Sequence, residues 1–202
     1  FPFLSYIIDY WLEKNIKKIN LLVGHKHQII INYFGKEYKG CKINYFVEEK
    51  LLGTGGALLN FLKSKNTKRE KPYLVINGDT WIEVNWEKLL YDYNKNSNKI
   101  IIGIINVKKN DRYNSLIVKD NVISGITKPT RKKDYVNSGL YIINPKIILP
   151  FMKNQEIIFS FEDKILPVLI NENLLSPSKC VQNFLDIGVP KDYKSSFELL
   201  KK

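Results

Sequence analysis

The stretch Tyr73-Leu74-Val75-Ile76-Asn77-Gly78-Asp79-Thr80 decides the fold, because four strand-favouring residues lead directly into a carboxylate beside a glycine. The stretch 181–188, which reads Val-Gln-Asn-Phe-Leu-Asp-Ile-Gly, has the same form and places Asp186 near its end. In an open α/β sheet, ligands bind beyond the carboxyl ends of the strands, so we predict that Asp79 and Asp186 face one crevice. Two carboxylates there are able to hold one hard cation. The pair therefore predicts a site for chemistry on phosphates.

Helices and strands alternate around the first stretch. Apolar residues at helical spacing predict four helices, and continuous apolar runs predict four strands. The helices are predicted at 4–12, 28–34, 57–62 and 86–93, and the strands at 19–23, 42–48, 73–76 and 100–107. This alternation predicts an α/β fold with a doubly wound, mostly parallel, Rossmann-like sheet. Because helices would cover both faces of that sheet, the strand 73–76 is predicted to be buried.

The pattern changes after Lys108. Short strands are predicted at 115–118, 122–126, 135–143 and 181–186. Ser160 is predicted to cap a helix that ends near Leu166, before Pro167, and Pro190 is predicted to begin the last helix. The apolar face of that last helix is predicted to consist of Phe197, Leu199 and Leu200. We expect a single domain over 1–202, with one half at 1–107 and a smaller, β-rich half at 108–202.

Charge and composition limit the functions that are open to the chain. With 202 residues, of which 44% are hydrophobic, it is long enough to bury a full core. A formal net charge of +12 suits nucleic acid, an anionic membrane surface or a phosphorylated ligand. The lysines are scattered, however, and the densest clusters, 63–71 and 131–133, are short, which favours a solvated surface. No nucleic-acid-binding motif is present, so we do not expect nucleic acid as a partner.

The cysteines and the first residues predict the compartment. Cys41 and Cys180 lack metal-ligand spacing and lie in or beside strand-like runs, so we expect free, buried thiols in a reducing environment. The apolar start is interrupted by Asp9 and Glu13, so we expect no secretory signal, and no apolar run approaches the length that spans a bilayer. These features predict a cytoplasmic protein without membrane insertion.

A glycine cluster, Leu52-Gly53-Thr54-Gly55-Gly56-Ala57-Leu58, lies between a predicted strand and a predicted helix. Glycine permits backbone conformations that turn amides toward a ligand, and the amino end of the helix favours negative groups. The cluster is consistent with a phosphate or nucleotide site. A flexible turn that only connects the strand to the helix is the alternative.

The order of these motifs resembles the sugar-1-phosphate nucleotidyltransferase family over nearly the whole chain. Six segments are similar to family motifs and occur in the family order. They are Glu48-Glu49 with the glycine cluster, Asn77-Gly78-Asp79-Thr80, Gly125-Ile126-Thr127-Lys128-Pro129, Asn137-Ser138-Gly139-Leu140-Tyr141, Ser160-Phe161-Glu162 and Leu185-Asp186-Ile187-Gly188-Val189-Pro190. The resemblance implies a reaction in which a sugar 1-phosphate attacks the α-phosphorus of a nucleoside triphosphate and releases pyrophosphate.

The resemblance also implies three sets of site residues. The nucleotide-binding set is Glu48, Leu52, Gly53, Thr54, Gly55, Asn77 and Gly78. The catalytic set is Asp79, Lys128 and Asp186, in which the two aspartates hold Mg2+ and the lysine contacts the sugar phosphate. The sugar-binding set is Asn137, Gly139 and Glu162. The halves 1–107 and 108–202 would bind the nucleotide and the sugar phosphate, respectively.

Substrate choice is indicated less directly. Three segments are most similar to the branch of the family that joins GTP to D-glycero-α-D-manno-heptose 1-phosphate for surface polysaccharide. They are the residues of the glycine cluster, Trp81 after Asn-Gly-Asp-Thr, and Phe159-Ser160-Phe161-Glu162. A mannose-type sugar and uridylyl, thymidylyl or cytidylyl transfer remain alternatives. Thr127 stands where the family has a glutamate that binds sugar hydroxyls, so that carboxylate role does not carry over.

The beginning of the sequence departs from the family. Family members have a strand, a glycine-rich triphosphate loop and a lysine upstream of the position that aligns with Phe1. We therefore expect a piece of a longer reading frame, with two strand edges exposed in the middle of the sheet. A non-catalytic relative that binds a sugar nucleotide or a partner subunit is the alternative. Exposed aromatic residues at Trp81, Trp86 and Tyr93 would suit a homodimer contact.

Overall fold

A computed structural model describes residues 1–65, 67–108 and 110–199, apart from the side chains of residues 195 and 197–199. The helices are α1 (Phe3–Glu13), α2 (His27–Phe34), α3 (Gly53–Lys63), α4 (Trp86–Lys95), α5 (Pro145–Met152), α6 (Phe161–Lys164), α7 (Leu166–Asn171) and α8 (Pro190–Leu199). The strands are β1 (Lys18–Val23), β2 (Glu37–Tyr38), β3 (Cys41–Val47), β4 (Tyr73–Ile76), β5 (Thr80–Val84), β6 (Ile100–Val107), β7 (Ser115–Lys119), β8 (Val122–Thr127), β9 (Asp134–Ile143), β10 (Leu175–Ser178) and β11 (Val181–Asp186). The side chains of the predicted apolar face, Phe197, Leu199 and Leu200, lie outside the described part of the chain.

The predicted α/β fold class is confirmed, but the sheets are more mixed than the alternation of helices and strands indicates. β1 pairs with β3 in parallel, and β6 pairs with β10 in parallel. The ten-residue strand β9 lies between β4 and β6 and is antiparallel to both, so β4, β6 and β10 share one direction. The prediction of a mostly parallel sheet is therefore wrong for the strands around β9, because β9 arrives late in the chain and is inserted in reverse.

Strand β4 differs from its prediction in burial. All four of its residues, Tyr73–Ile76, are only partly buried, whereas the first five residues of β6 are fully buried. Within the described residues, β4 pairs only with β9 and β1 pairs only with β3. The strand was predicted to be buried on both faces, and it is partly exposed because, among the described residues, a strand adjoins only one of its edges.

Two apolar clusters pack against the sheets. The larger cluster includes α3, α5 and the interior of β6, and the smaller one joins α1 and α4 to β5 and β11. Trp81 and Trp86 are partly buried and pack against the smaller cluster. The ring centroids of Trp86 and Trp11 are 6.1 Å apart, and those of Trp81 and Tyr10 are 5.9 Å apart. The aromatic side chains that were expected to be exposed are thus partly buried, because α1 covers them. Cys41 and Cys180 are free and buried, as predicted.

Three elements that the sequence pattern did not predict, α5, α7 and β10, contain proline at positions that each element tolerates. α5 has Pro145 in its first turn, where a missing N–H costs nothing, and Pro150 inside, while Asn144 caps it by accepting from the Lys146 N–H. Pro167 lies in the first turn of α7 and begins that helix instead of ending the preceding one. β10 contains Pro177 and lies at the end of its sheet, where strands tolerate proline. No helix among the described residues has the length and apolar character needed to span a membrane.

Candidate active site

The two aspartates lie at the same end of one pair of strands. Asp79 occupies the turn between β4 and β5, and Asp186 is the last residue of β11. β11 runs antiparallel to β5, so Asp186 is the register partner of Thr80, and the Ile187 N–H donates to the Asp79 carbonyl at 3.0 Å. The antiparallel pairing therefore brings together two carboxylates that are 107 positions apart in the sequence.

Arg112 lies at this point, in the segment Asp111-Arg112-Tyr113, which is similar to a family segment but to which the sequence assigned no role. Its Nη2 donates to Asp186 Oδ1 at 2.6 Å, and its Nη1 donates to Asp192 Oδ2 at 2.8 Å. The Gly188 N–H donates to the same Asp186 oxygen at 2.7 Å, and only 18% of the Asp186 side chain is exposed. The signal was the use of arginine, the residue suited to joining two carboxylates, in a chain whose cations are nearly all lysine.

Tyr113 completes the surroundings of Asp186. Its ring lies 5.4 Å from the Phe184 ring in an edge-to-face contact, and the Arg112 guanidinium lies 4.9 Å from its centroid. Burial, followed by the negative charge of Asp186, raises the pKa of Tyr113 to about 12. Tyr113 is therefore a neutral hydrogen-bonding group near physiological pH.

A cavity of about 410 Å3, with several polar side chains in its wall, adjoins these residues. Its walls combine groups from both halves of the chain. Among its lining residues are Thr54, Asn77, Arg112, Asn137, Glu162 and Asp186. Five of these six were predicted from the sequence as site residues, and the fold brings them to one cavity.

A chain of hydrogen bonds crosses the cavity wall between the two halves. Thr54 Oγ1 donates to Glu162 Oε2 at 2.6 Å and accepts from the Phe161 N–H at 2.9 Å. The Tyr141 hydroxyl donates to Glu162 Oε1 at 3.4 Å and accepts from the Asn137 side-chain amide. Burial, followed by the charge of Glu162, raises the pKa of Tyr141, so its hydroxyl stays protonated and able to donate.

Gly139 shapes the floor of the same cavity. Its φ of +73° lies in the left-handed region, and a Cβ there would come within 2.7 Å of the Asn77 side chain. Its N–H donates to Asn137 Oδ1 at 2.9 Å, while its carbonyl accepts from the Asn77 N–H at 3.0 Å. Only glycine therefore allows Asn77 and Asn137 to lie side by side.

Two amides of the glycine cluster are already hydrogen-bonded within the protein. Gly53–Gly56 form the first turn of α3, and the amides of Gly55 and Gly56 donate to the Phe159 carbonyl at 3.0 and 3.3 Å. A Cβ on Gly55 would lie 2.2 Å from the Phe159 ring. The prediction that these amides are available to a ligand is wrong for Gly55 and Gly56, because the segment 157–159 packs against them. Glu48 supports the cluster by accepting from the Leu52 N–H at 3.0 Å.

Two predicted residues lie at the margin of the site or away from it. Gly78 is exposed in the turn beside Asp79. Lys128 follows the end of β8, is exposed, and lines neither this cavity nor a larger apolar one of about 910 Å3 between β1 and β4. Within the described part of the chain, no three side chains of the metal-ligating types form a cluster. The carboxylates of Asp79 and Asp186 thus stand as a pair.

Comparisons with known proteins agree with this geometry. The family model described as nucleotidyl transferase matches residues 1–202. A D-glycero-alpha-D-manno-heptose 1-phosphate guanylyltransferase of Campylobacter jejuni is 35% identical over 196 residues, covering 95% of this chain and 83% of that protein. The crystal structure of HddC from Yersinia pseudotuberculosis matches with a TM-score of 0.83 at 30% identity, over 99% of this chain and 86% of that one. The structure of the same protein complexed with GMP-PN matches with a TM-score of 0.80 at 28% identity.

The match extends over the whole chain, and it includes every strand that carries a predicted site residue. The chain belongs to the nucleotidyl transferase family.

Proposed function

We propose that the chain transfers a nucleotidyl group from GTP to a heptose 1-phosphate, which gives a nucleotide sugar and pyrophosphate. An oxygen of the sugar phosphate forms a bond to the α-phosphorus, and the bond from that phosphorus to the pyrophosphate oxygen breaks. The main support is the placement of Asp79 and Asp186 at one end of β5 and β11, where Asp186 and residues from both halves line the cavity of about 410 Å3. The names of the Campylobacter and Yersinia relatives support guanine and heptose as the substrates.

We assign Asp79 and Asp186 to a Mg2+ ion. Mg2+ prefers oxygen ligands and is commonly held by one or two carboxylates, with phosphates and waters as the other ligands, so a pair of aspartates fits it. The bound ion would neutralise charge on the reacting phosphates. The chain itself contributes alignment, because the β5–β11 pairing and the Gly188 N–H hold Asp186 in place.

Arg112 adds a positive charge to this end of the cavity. In the absence of substrate it joins Asp186 to Asp192, and a guanidinium is well suited to bidentate contacts with phosphate as well as carboxylate. We assign it to the reacting phosphates, the role for which the resemblance favoured Lys128. Lys128 follows the end of β8, is exposed, and does not line the cavity.

The sugar is assigned to the half at 108–202. Asn137 presents a side-chain amide, Gly139 permits close approach to the backbone, and Glu162 presents a carboxylate that Thr54 and Tyr141 orient. The hydroxyls of Thr54, Tyr141 and Ser160 contact Glu162, and its carboxylate, with two oxygens that each accept more than one bond, remains an acceptor for sugar hydroxyls. These contacts supply the acceptor that Thr127 cannot provide.

The nucleotide is assigned to the half at 1–107. Glu48 and Leu52 set the entry to α3, Gly53 and Thr54 begin the helix, and Asn77 and Gly78 border Asp79. Gly55 acts through packing against Phe159 rather than through its amide. Because GTP, Mg2+ and reduced thiols coexist in the cytoplasm, we place the reaction there.

The experiment is pyrophosphate release by the complete reading frame that contains this chain. Among the nucleotides, GTP should react in preference to CTP, UTP and dTTP. Among the sugars, heptose 1-phosphate should react in preference to mannose and glucose 1-phosphates.

Asp79→Asn should lower kcat by at least about a hundredfold, because a ligand to the charge-neutralising ion is lost. Asp120→Asn, the same change in the exposed β7–β8 turn, is the matched control and should leave kcat unchanged. Full activity of Asp79→Asn would exclude the assigned role, and a folded protein that is silent across the panel would favour a non-catalytic relative.

A further inference from the structure

Three consecutive residues of one irregular segment line the cavity of about 410 Å3. They are Arg112, Tyr113 and Asn114, and they lie between β6 and β7, outside any helix or strand. A segment of this kind has no helical or ladder hydrogen bonds to fix its backbone, so its position depends on the side chains that bond to it. The groups that hold this segment therefore set where the Arg112 guanidinium lies.

Asn110 holds the backbone of the segment. Its Nδ2 donates to the Tyr113 carbonyl at 2.6 Å, and its Oδ1 accepts from the N–H groups of Tyr113 and Arg112 at 2.9 and 3.4 Å. Its own carbonyl accepts from the Arg131 N–H at 2.8 Å, and its N–H donates to the Lys132 carbonyl at 3.1 Å. Only 1% of Asn110 is exposed. A buried residue thus connects the segment to the loop between β8 and β9.

Asp134, the first residue of β9, anchors both Asn110 and that loop. Its Oδ2 accepts from the Ser115 hydroxyl at 2.7 Å, and from Asn110 Nδ2 and the Thr130 N–H, both at 3.2 Å. Its Oδ1 accepts from the Thr130 hydroxyl at 2.7 Å. The bond from the Ser115 hydroxyl is the main reason that the pKa of the Asp134 carboxyl lies below its ordinary value. The group is therefore ionised at neutral pH and acts only as an acceptor.

The number of donors explains why a carboxylate is present at this position. Among the described residues, four donors converge on Asp134, and an ionised carboxylate offers about four acceptor sites. An asparagine of the same shape offers one acceptor oxygen and directs an NH2 group toward other donors. Asp134 is therefore matched to this network by its charge state as well as by its shape.

We propose that Asp134 is a positioning residue of the candidate active site, which holds the segment 110–115 in place and so keeps the Arg112 guanidinium on Asp186. Asp134 itself lines neither the cavity of about 410 Å3 nor the one of about 910 Å3, so it acts through its neighbours. The inference rests on the proposed function in one respect, the assignment of Asp186 to a divalent cation. Loss of the Asp134 carboxylate should release Arg112 from Asp186 and relieve the repulsion between the guanidinium and that cation.

The first measurement is hydrogen exchange in the substrate-free protein, with the complete reading frame that contains this chain. Asp134→Asn should speed exchange of the Tyr113 and Arg131 amides, which this network holds, by at least about tenfold. The Leu89 amide, which lies in α4, should exchange at the wild-type rate. Asp120→Asn, the same change in the exposed β7–β8 turn, is the matched control and should alter none of these rates.

The second measurement is Mn2+ affinity, by electron paramagnetic resonance of the free ion at low ionic strength. Removal of a negative charge by itself weakens cation binding, so tighter binding by Asp134→Asn would arise from displacement of Arg112. We expect Asp134→Asn to bind Mn2+ about two- to fivefold more tightly than the wild type, and Asp120→Asn to show no tightening. The double variant with Arg112→Gln should bind no more tightly than Arg112→Gln alone, because both changes act through one guanidinium.

A milder variant separates positioning from a fold defect. Ser115→Ala removes one hydroxyl of the network without changing the charge, and it should shift both readouts in the same directions by smaller factors. Circular dichroism checks that each variant folds. Unchanged exchange in Asp134→Asn and Ser115→Ala would overturn the proposal. Unchanged or weaker Mn2+ binding by both, while Arg112→Gln binds more tightly, would also overturn it. If Arg112→Gln shows no change either, the metal assignment of the proposed function fails, and the exchange rates alone decide whether Asp134 holds the segment.

Discussion

At residue scale, two donors share one oxygen of the Asp186 carboxylate. Arg112 and the Gly188 N–H both contact Oδ1, and the backbone of β11 fixes the side chain beside Thr80. A divalent cation at this carboxylate would lie close to a guanidinium charge. At about 4 Å, two unit charges near a protein surface interact by roughly 4 kcal/mol before screening, so Arg112 opposes cation binding in the substrate-free protein.

Replacement of Arg112 should therefore strengthen metal binding while it weakens catalysis. We expect Arg112→Gln to bind Mn2+ about three- to tenfold more tightly at low ionic strength, with the difference shrinking as salt is added. Electron paramagnetic resonance of free Mn2+ measures this without turnover. Arg69→Gln, in an exposed turn, is the control, and equal Mn2+ affinity in all three proteins would show that Arg112 does not act on the site.

The pKa of Tyr113 depends on the charge of the Asp186 carboxylate. The pKa is raised from 10.0 to about 12 by burial and then by Asp186, so the phenol is protonated in the folded state up to about pH 12. The contribution of the protonated Tyr113 phenol to folding stability is fully present below pH 10. It is lost as the pH rises from 10 to about 12, because this phenol ionises at a lower pH in the unfolded chain than in the folded protein. Subtracting the ultraviolet titration of Tyr113→Phe from that of the wild type should isolate a pKa near 12. Asp186→Asn should lower the pKa of Tyr113, because it removes a nearby negative charge, whereas Asp120→Asn should leave that pKa unchanged.

At the scale of elements, the first turn of α3 is held by contact with the segment 157–159. The Phe159 carbonyl accepts from two amides of the turn, and the Phe159 N–H donates to the Leu52 carbonyl at 2.9 Å. Glycine is needed because the Phe159 ring lies where a Cβ of Gly55 would be. The helix and this segment therefore form one packed unit.

Substitution of Gly55 tests this packing. Gly55→Ala should lower the free energy of unfolding by about 1 to 3 kcal/mol, since the methyl group must displace the Phe159 ring. Gly78→Ala is the control, because a Cβ there has no heavy atom within 4 Å, and it should stay within about 0.5 kcal/mol of the wild type. Urea unfolding measures both. A Gly55→Ala protein as stable as Gly78→Ala would contradict the packing role.

The sequence predicts most of the elements because their signals are local. Ser160 caps α6 through the Asp163 N–H at 3.1 Å, and Pro190 begins α8, as expected from the positions of these residues alone. The pairing of β9 with β4, and the partners of the glycine cluster, depend on residues more than 50 positions away. A local pattern contains no information about such partners. The same reason explains why Asp79 and Asp186 were predicted as site residues, since each ends a recognisable run, while no role was predicted for Arg112.

At the scale of the whole molecule, the Thr54 hydroxyl is one of the groups that link the two halves at the cavity. Thr54 Oγ1 contacts both the Glu162 carboxylate and the Phe161 N–H, across more than 100 residues of sequence. Under the proposed function, this bond connects the nucleotide-binding half to the sugar-binding half.

Removal of that hydroxyl should affect both stability and sugar binding. Thr54→Val keeps the shape of the side chain but leaves the Phe161 N–H and the Glu162 carboxylate with one partner fewer, which should cost about 1 to 3 kcal/mol. We expect KM for the sugar 1-phosphate to rise more than KM for GTP, because Glu162 loses its orientation. Thr54→Ser should restore both properties. If steady-state kinetics show equal changes in the two KM values, the link does not act through Glu162.

The position of β9 in the chain also has a consequence for synthesis on the ribosome. β9 ends at Ile143, and it separates β4 from β6 and extends to β7. A nascent chain that has not yet released these residues holds three apolar strands without their shared neighbour. At about 5–20 residues per second, this interval lasts several seconds, during which the strand edges are open to aggregation. Translation pauses before Ile143 and the supply of holding chaperones should therefore govern how much of the protein reaches its native state.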